Sequence, residues 1–326
     1  MAPTGVDEGA FRAAVEPHRR ELLVHCYRML GSVDDAQDLL QETMTRAWRA
    51  FGRYDPRRAS VRTWLYRIAT NACLNAREAR RRHPLPADVG PAFDDPDAAL
   101  EPDFEVPWLQ PFPDALLPGS APDPADVAIE RSRLRLALVA ALQLLPARQR
   151  AVLLLREVLD VPASEVAELL DMTTAAVNSA LQRARRRLGE AGAVAAPLPE
   201  PRAEQPAVVD AYVAAFETAD IAAMVGLLRG DVVLEMPPMR NWYRGVHAYA
   251  GFMARVFRRR GTRWRTMPVA ANGQAATANY RGVDDGGFLL HTVQLFTVVD
   301  GAICRVTVFQ DPRVFALFQL PSVLRR

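Results

Sequence analysis

Residues 164–188 read SEVAELLDMTTAAVNSALQRARRRL, and their spacing decides how the middle of the chain folds. Ser164 is placed to cap a helix that turns Val166, Ala167 and Leu170 inward, with the small Ala167 where a second helix must come close. Asp171 follows where a short turn demands positive φ, a conformation Asp tolerates better than most residues. Thr173 or Thr174 then caps a second helix whose Val177, Leu181, Ala184 and Leu188 form one apolar stripe. Asn178, Ser179, Gln182, Arg183 and Arg186 fall on the other side. These side chains can hydrogen-bond base edges and phosphates in a major groove, so the pattern predicts a helix–turn–helix. An ordinary helical hairpin with a solvated arginine-rich face is the plainer alternative.

Working towards the N-terminus, apolar residues recur at helical spacing from Phe11 to Arg82, broken by GSVDD and GRYDPRRAS, which predicts three or four helices. In the last of them, projected at about 100° per residue, Val61, Trp64, Leu65, Ile68 and Ala72 share a core stripe. Arg62, Tyr66, Thr70, Cys73 and Arg77 share another face, with Arg67 and Asn71 beside it. An exposed face of this kind suits unstacked single-stranded bases, and the run Arg80 to Arg82 suits a duplex backbone. Read in isolation, a solvated surface explains the same residues.

The chain of 326 residues is long enough for two or three domains, and its net charge of +2 conceals strong segregation. Residues 1–83 carry 15 basic and 10 acidic groups, 84–126 carry none and 10, 127–190 carry 10 and 7, and 191–326 carry 15 and 11. Two basic blocks thus flank a purely acidic, proline-rich one, which reads as an extended linker. Within it VPWLQPFPD carries Trp108 and Phe112, too hydrophobic for an idle spacer and expected to dock. A second linker spans 191–206. From residue 207 onward a helix pair and then alternating apolar runs predict a separate α+β domain. Cys26, Cys73 and Cys304 stand singly, without metal-ligand spacing, and no cofactor is expected. The absence of a secretory leader or an apolar span leads to the expectation of a soluble, cytoplasmic protein without a membrane partner.

Two stretches now stand in a recognisable order. DDAQDLLQETMTRAW followed by SVRTWLYRIATNACLNAREARRR, and then the helix–turn–helix segment, resembles regions 2 and 4 of the extracytoplasmic-function (ECF) group of sigma-70 factors over residues 11–83 and 130–190. The resemblance implies a multidomain chain: a region 2 helical bundle (1–83), a linker (84–126) and a region 4 helix–turn–helix (127–190). It implies that Asp35, Asp38, Gln41 and Glu42 dock on the β′ clamp helices of core RNA polymerase, with region 4 at the β flap. Arg62, Tyr66, Arg67, Thr70, Asn71, Arg77, Arg80 and Arg81 would open and hold the −10 element, with loop GRYDPRRAS as a pocket for a flipped base. Thr174, Asn178, Ser179, Gln182, Arg183 and Arg186 would read the −35 element. In such factors the linker threads the positively charged active-site and RNA-exit channel of the polymerase, a path that an acidic composition suits.

Residues 207–326 are an addition to that plan and resemble the SnoaL-like, or nuclear-transport-factor-2-like, cone fold. Together with HCYRMLGS and VPWLQPFPD they resemble the SigG-type subgroup. VDDGGF lacks the lysine of the Asp-Gly-Gly-Gly-Lys motif found in a related group. Glu235, Trp242, Tyr243 and His291 are candidates to line a pocket for a small-molecule ligand, with Met236, Phe309 and Asp220 nearby. No pair among them has a spacing that specifies a reaction, so no enzyme is expected. The domain is expected to contact the sigma domains or the linker and to modulate promoter recognition. The alternative function is a conventional helix–turn–helix regulator with a ligand-sensing C-terminal domain.

Overall fold

The computed structural model describes residues 7–78, 82–117, 134–190, 204–284 and 286–325. The chain divides into two units, Met1–His83 with Leu116–Leu198, and Pro84–Ala115 with Pro199–Arg326. The acidic segment, read from its composition as an extended linker with a docking stretch, folds up to residue 115 with the C-terminal unit.

In the first unit α1 (Glu8–Val15), α2 (Arg19–Leu30), α3 (Val33–Ala50) and α4 (Val61–Glu78) form the N-terminal bundle. Gly31, at φ 81°, ends α2 in the left-handed conformation, and Ser32 caps α3 by accepting from Asp35 N at 3.1 Å. The dipeptide GS thus turns the chain back between two antiparallel helices. Ser60 caps α4 in the same way, accepting from Thr63 N at 3.1 Å.

The second half of this unit comprises α5 (Leu136–Gln143), α6 (Ala147–Leu153), α7 (Ala163–Leu170) and α8 (Thr174–Glu190). Helix α2 is buried from Leu22 to Leu30, polar residues included, because α3, α4, α5 and α6 all pack on it. Arg150 of α6, fully buried, joins the halves: it donates to Met29 O, to Gln143 Oε1 at 2.6 Å and to Leu145 O at 3.2 Å. The two helical modules share one core.

The helix–turn–helix forms as its sequence indicates, with one change at its start. Pro162, not Ser164, occupies the cap position of α7, and no side chain caps that helix. Asp171 adopts φ 53° and ψ 55°, and Thr173 Oγ1 accepts from Ala176 N at 3.1 Å to cap α8. A β-branched residue pays for the left-handed conformation, so Asp171→Val should cost about 1–2 kcal/mol while Asp171→Gly stays close to neutral. Urea unfolding of the two variants checks this.

The second unit begins with α9 (Glu204–Glu217) and α10 (Ile221–Gly226) and continues with β1 (Leu228–Glu235), β2 (Trp242–Arg244), α11 (Val246–Arg260), β3 (Trp264–Ala271), β4 (Gln274–Gly282), β5 (Phe288–Val299), β6 (Ala302–Phe309), α12 (Pro312–Leu317) and β7 (Val323–Leu324). The sheet runs β2-β1-β6-β5-β4-β3, with β7 paired to β5; β1 and β6 are parallel and the other pairs antiparallel. Alternate residues of one face, among them Leu234, Met236, Phe296, Val306 and Val308, pack on Tyr212 and Phe216 of α9 and Phe252, Met253 and Phe257 of α11. Pro268 is accommodated because β3 lies at the sheet edge.

Segment 84–115 is bound to this unit along its length. Phe93 N donates to Trp242 O, and the Trp242 indole to Gly90 O, both at 2.9 Å. Asn241, fully buried, accepts from Glu101 N at 2.7 Å and donates to Ala99 O at 3.2 Å. Asn272, also fully buried, accepts from Phe112 N at 2.8 Å, and its backbone N returns a bond to Phe112 O at 2.8 Å. Arg255 donates to Pro96 O at 2.8 Å and to Ala98 O, while Arg258 pairs with Asp97 at 2.8 Å. Leu109 and Phe112 are buried, and Trp108 is half-buried with its indole on Asp103 O at 2.7 Å. The acidic segment meets the arginines of α11, and its Phe93 and Leu100 pack against the hydrophobic core of the unit.

Candidate functional site

Helix α8 carries its candidate contacts on one side because the other is sealed. Val177, Ala180, Leu181, Ala184 and Leu188 are buried against α6 and α7, while Thr174, Asn178, Ser179, Gln182, Arg183 and Arg186 are all exposed. Arg186 lies 3.6 Å from Glu190, and Arg185 is engaged by Glu157. The surface is polar and cationic, of the composition that a groove edge and its phosphates accept.

Helix α4 departs from the expected arrangement. Tyr66, Thr70 and Cys73 are buried at 3%, 0% and 0% exposure rather than offered to solvent. Their polar atoms find partners on α2: Tyr66 OH donates to Glu21 Oε2 at 3.2 Å, and Thr70 Oγ1 lies 2.9 Å from His25 Nε2. The Cys26 thiol hydrogen-bonds Cys73 and, with burial, pushes its pKa up. Tyr66 and Thr70 are therefore not free to hold bases in this conformation. Arg62 and Arg67 are exposed and Asn71 is half-buried. Arg62 is tied to Glu21 at 2.9 Å with its guanidinium 5.0 Å above the Tyr66 ring. Trp64, expected in the core, is only half-buried and packs 5.0 Å from the ring of Tyr54 in the loop before α4. The Arg77 side chain, Arg80 and Arg81 lie outside the described residues.

His25, enclosed beneath α4, is held neutral, its pKa lowered to about 3 first by burial and then by Arg28 and Arg62. Its unfolded value lies near 6.5, so protons bind the unfolded chain preferentially between these limits. The stability contribution is complete above pH ~6.5 and is lost by about 1.4 kcal/mol for each unit below it. The unfolding free energy from urea titrations should thus fall by about 2 kcal/mol from pH 7 to pH 5, and His25→Gln should remove that share of the slope.

On α3 the residues Asp38, Gln41 and Glu42 are exposed, with Glu42 bonded to Arg46 at 2.7 Å. Asp35 is half-buried, its Oδ2 3.5 Å from His83 Nε2. The helix presents a carboxylate-rich stripe above a buried row of Ala36, Leu39, Leu40, Thr43 and Ala47.

In the C-terminal unit the expected pocket residues separate. His291 and Met236 line a small cavity between the sheet, α9 and α11. Glu235 and Trp242 oppose each other in the β1–β2 register, alternate with the inward-facing Leu234 and Met236, and so belong to the other face of the sheet. There the fully buried Glu235 accepts from Arg305 at 2.6 Å and Thr307 at 3.1 Å. Phe309 alternates with the inward Val308 and shares that other face. Tyr243 packs in the core 5.1 Å from the Phe252 ring without lining the cavity, and Asp220 caps α10 through Ala223 N at 2.9 Å. Alternation along β1 separates Glu235 from Met236, a distinction legible only once the core face is known. Among the described residues no helix is long and apolar enough to cross a membrane, and no three His, Cys, Asp or Glu side chains gather as a metal site would require.

Residues 14–83 match Sigma-70 region 2, residues 135–188 match Sigma-70 region 4, and residues 209–306 match the SnoaL-like domain. The chain is 42% identical over 330 residues to the ECF RNA polymerase sigma factor SigG of Mycobacterium tuberculosis (strain ATCC 25618 / H37Rv), covering 99% of this chain and 87% of that protein. It is 27% identical to SigJ of the same organism, covering 92% and 91%. The crystal structure of SigJ superposes with a TM-score of 0.64 at 22% identity, over 97% of this chain and 100% of the other, which shows a shared fold.

Proposed function

The chain belongs to the ECF RNA polymerase sigma factors, subunits that bind core polymerase and recognise promoters, and from that premise we propose that its own C-terminal domain controls it by holding the segment between the promoter-reading modules. The carrying observation is the bonded path of residues 84–115, in which fully buried Asn241 and Asn272 have hydrogen-bond partners in that segment. In the family this segment enters the polymerase channel. One segment cannot lie in the channel and on the cone together, so the cone competes with the polymerase for it. Detachment exposes Leu109 and Phe112 and leaves both asparagines to find other partners, which sets the strength of the hold.

The promoter-reading roles follow the exposed surfaces. Helix α8 reads the −35 element through Asn178, Ser179, Gln182, Arg183 and Arg186, with Thr174 at its start. The α3 stripe of Asp38, Gln41 and Glu42, flanked by Asp35, docks on the β′ clamp helices. Arg62, Arg67 and Asn71 meet the −10 element, and Arg62 exchanges Glu21 for phosphate as it does so.

Gly251 offers a test that leaves both DNA-reading surfaces untouched. It lies beneath Pro96, and a Cβ there would sit 2.8 Å from Pro96 Cγ. Gly251→Ala favours helix α11 by about 1 kcal/mol yet pushes the segment away. The expected result is a three- to tenfold rise in transcription from core polymerase, about 0.7–1.4 kcal/mol, together with faster amide exchange across 93–103. Faster exchange in that segment with unchanged transcription would refute the competition.

A further inference from the structure

Where α11 runs into β3, positive charge collects at the edge of the sheet. Arg260 ends the helix, Arg263 and Arg265 flank Trp264 at the start of the strand, and Arg281 lies opposite Trp264 in the β3–β4 register. That edge is open, because β3 pairs with β4 on one side alone. The guanidiniums of Arg263 and Arg265 both lie on the Phe288 ring, 5.6 and 5.0 Å from its centroid. Gly282 lets Arg263 come this close, since a Cβ there would stand 2.8 Å from the Arg263 Cβ. Arg260 and Arg281 are near enough to His291 that, after burial, they help lower its pKa to about 4.

No carboxylate answers this charge. Arg258 has Asp97 and Arg229 has Asp231, but among the described residues no ion pair engages Arg260, Arg263, Arg265 or Arg281. Glu217 is bonded to Thr266 N and Oγ1 at 2.6 and 2.9 Å, and the exposed Asp284 pairs with none of the four. Asp285 lies outside the described residues. Like charges held on one ring repel, and an anion that spans them relieves the repulsion.

The chemistry of the edge selects the anion. Guanidinium forks match phosphate oxygens and keep their charge at every physiological pH. Trp264 is buried and the half-buried Phe288 ring is taken by guanidiniums, so the edge lacks the open aromatic platform on which unpaired bases stack. Phosphate contacts without base contacts hold a duplex without reading it. Membership of a promoter-binding family puts duplex DNA within reach of the cone.

We propose that the β3 edge of the cone binds the sugar–phosphate backbone of duplex DNA without sequence preference, through Arg263 and Arg265 with Arg260 and Arg281 beside them. The grip uses the cone's own residues and does not depend on where segment 84–115 lies.

The test is fluorescence anisotropy of the full-length chain on a labelled duplex of about 30 base pairs without promoter elements, titrated from about 50 to 200 mM salt. Arg263→Ser/Arg265→Ser is compared with Arg229→Ser/Arg313→Ser, which changes the charge equally but removes arginines already paired with Asp231 and Asp311. Melting curves verify that both variants fold. The first should weaken binding about tenfold at the low-salt end and flatten the slope of log K against log salt by about 2, while the second leaves both unchanged. An unchanged slope in Arg263→Ser/Arg265→Ser, or equal losses in the two variants, would overturn the assignment. An acidic protein as the natural occupant gives the first of these results, and a diffuse effect of net charge gives the second.

Discussion

Cutting the chain after Ala196 raises run-off transcription by core RNA polymerase on the order of thirtyfold at limiting sigma factor, corresponding to about 2 kcal/mol of docking free energy removed. The magnitude follows from what the cone must give up. Segment 84–115 makes hydrogen bonds to Asn241, Trp242, Arg255 and Asn272 and buries Leu109 and Phe112, each bond contributing about 1 kcal/mol net. Much of that total is offset by the ordering of a proline-rich segment, which leaves a surplus of a few kcal/mol. Truncation also bares apolar residues, so the full-length Arg255→Ala variant is the companion experiment. It removes the donor to Pro96 O and Ala98 O, and transcription should rise several-fold. Unchanged output from both proteins, with native-like promoter patterns, would end the competition model.

The second large effect concerns Arg150. It is fully buried and serves Met29 O, Gln143 Oε1 and Leu145 O, so it connects carbonyls from both helical modules. Arg150→Ala leaves those acceptors without their donor and opens a cavity where the side chain lay, at a cost of about 3–5 kcal/mol. For a unit of this size the melting temperature should drop by about 10 °C or more, read by calorimetry. Arg150→Met restores volume without the donors, so it should recover only the packing share. A drop below about 2 °C in the alanine variant would mean that the shared core does not depend on this residue.

Much of the architecture is legible in local patterns. The stripe Val177, Leu181, Ala184 and Leu188 is a 3.6-residue period, and its burial on one side necessarily exposes Asn178, Gln182 and Arg183 on the other. Asp171 and Gly31 mark turns through backbone preference, and Ser32 marks a helix start through its hydroxyl. The C-terminal helix pair and the strands ending in FLLHTVQLFTVVDG and AICRVTVFQD follow the same logic with period two. Helix α11 and strand β3 were less plain: arginines crowd the end of the one, and a proline interrupts the other.

What the sequence by itself determined is the order of the modules, the family, the exposed polar face of α8 and the acidic stripe of α3, because each depends on residues a few positions apart. Only the tertiary structure decided which polar groups are buried. Tyr66 and Thr70 read as part of an exposed face until Glu21 and His25 of α2 supply their partners, and the Arg150 guanidinium is held inside because Met29 O accepts from it. Segment 84–115 reads as a linker whose Trp108 and Phe112 must dock, but where it docks is decided by Asn241 and Asn272, which receive it. A polar side chain enters the interior when a partner more than a hundred residues away, or forty, satisfies it there, and periodicity carries no record of that distance.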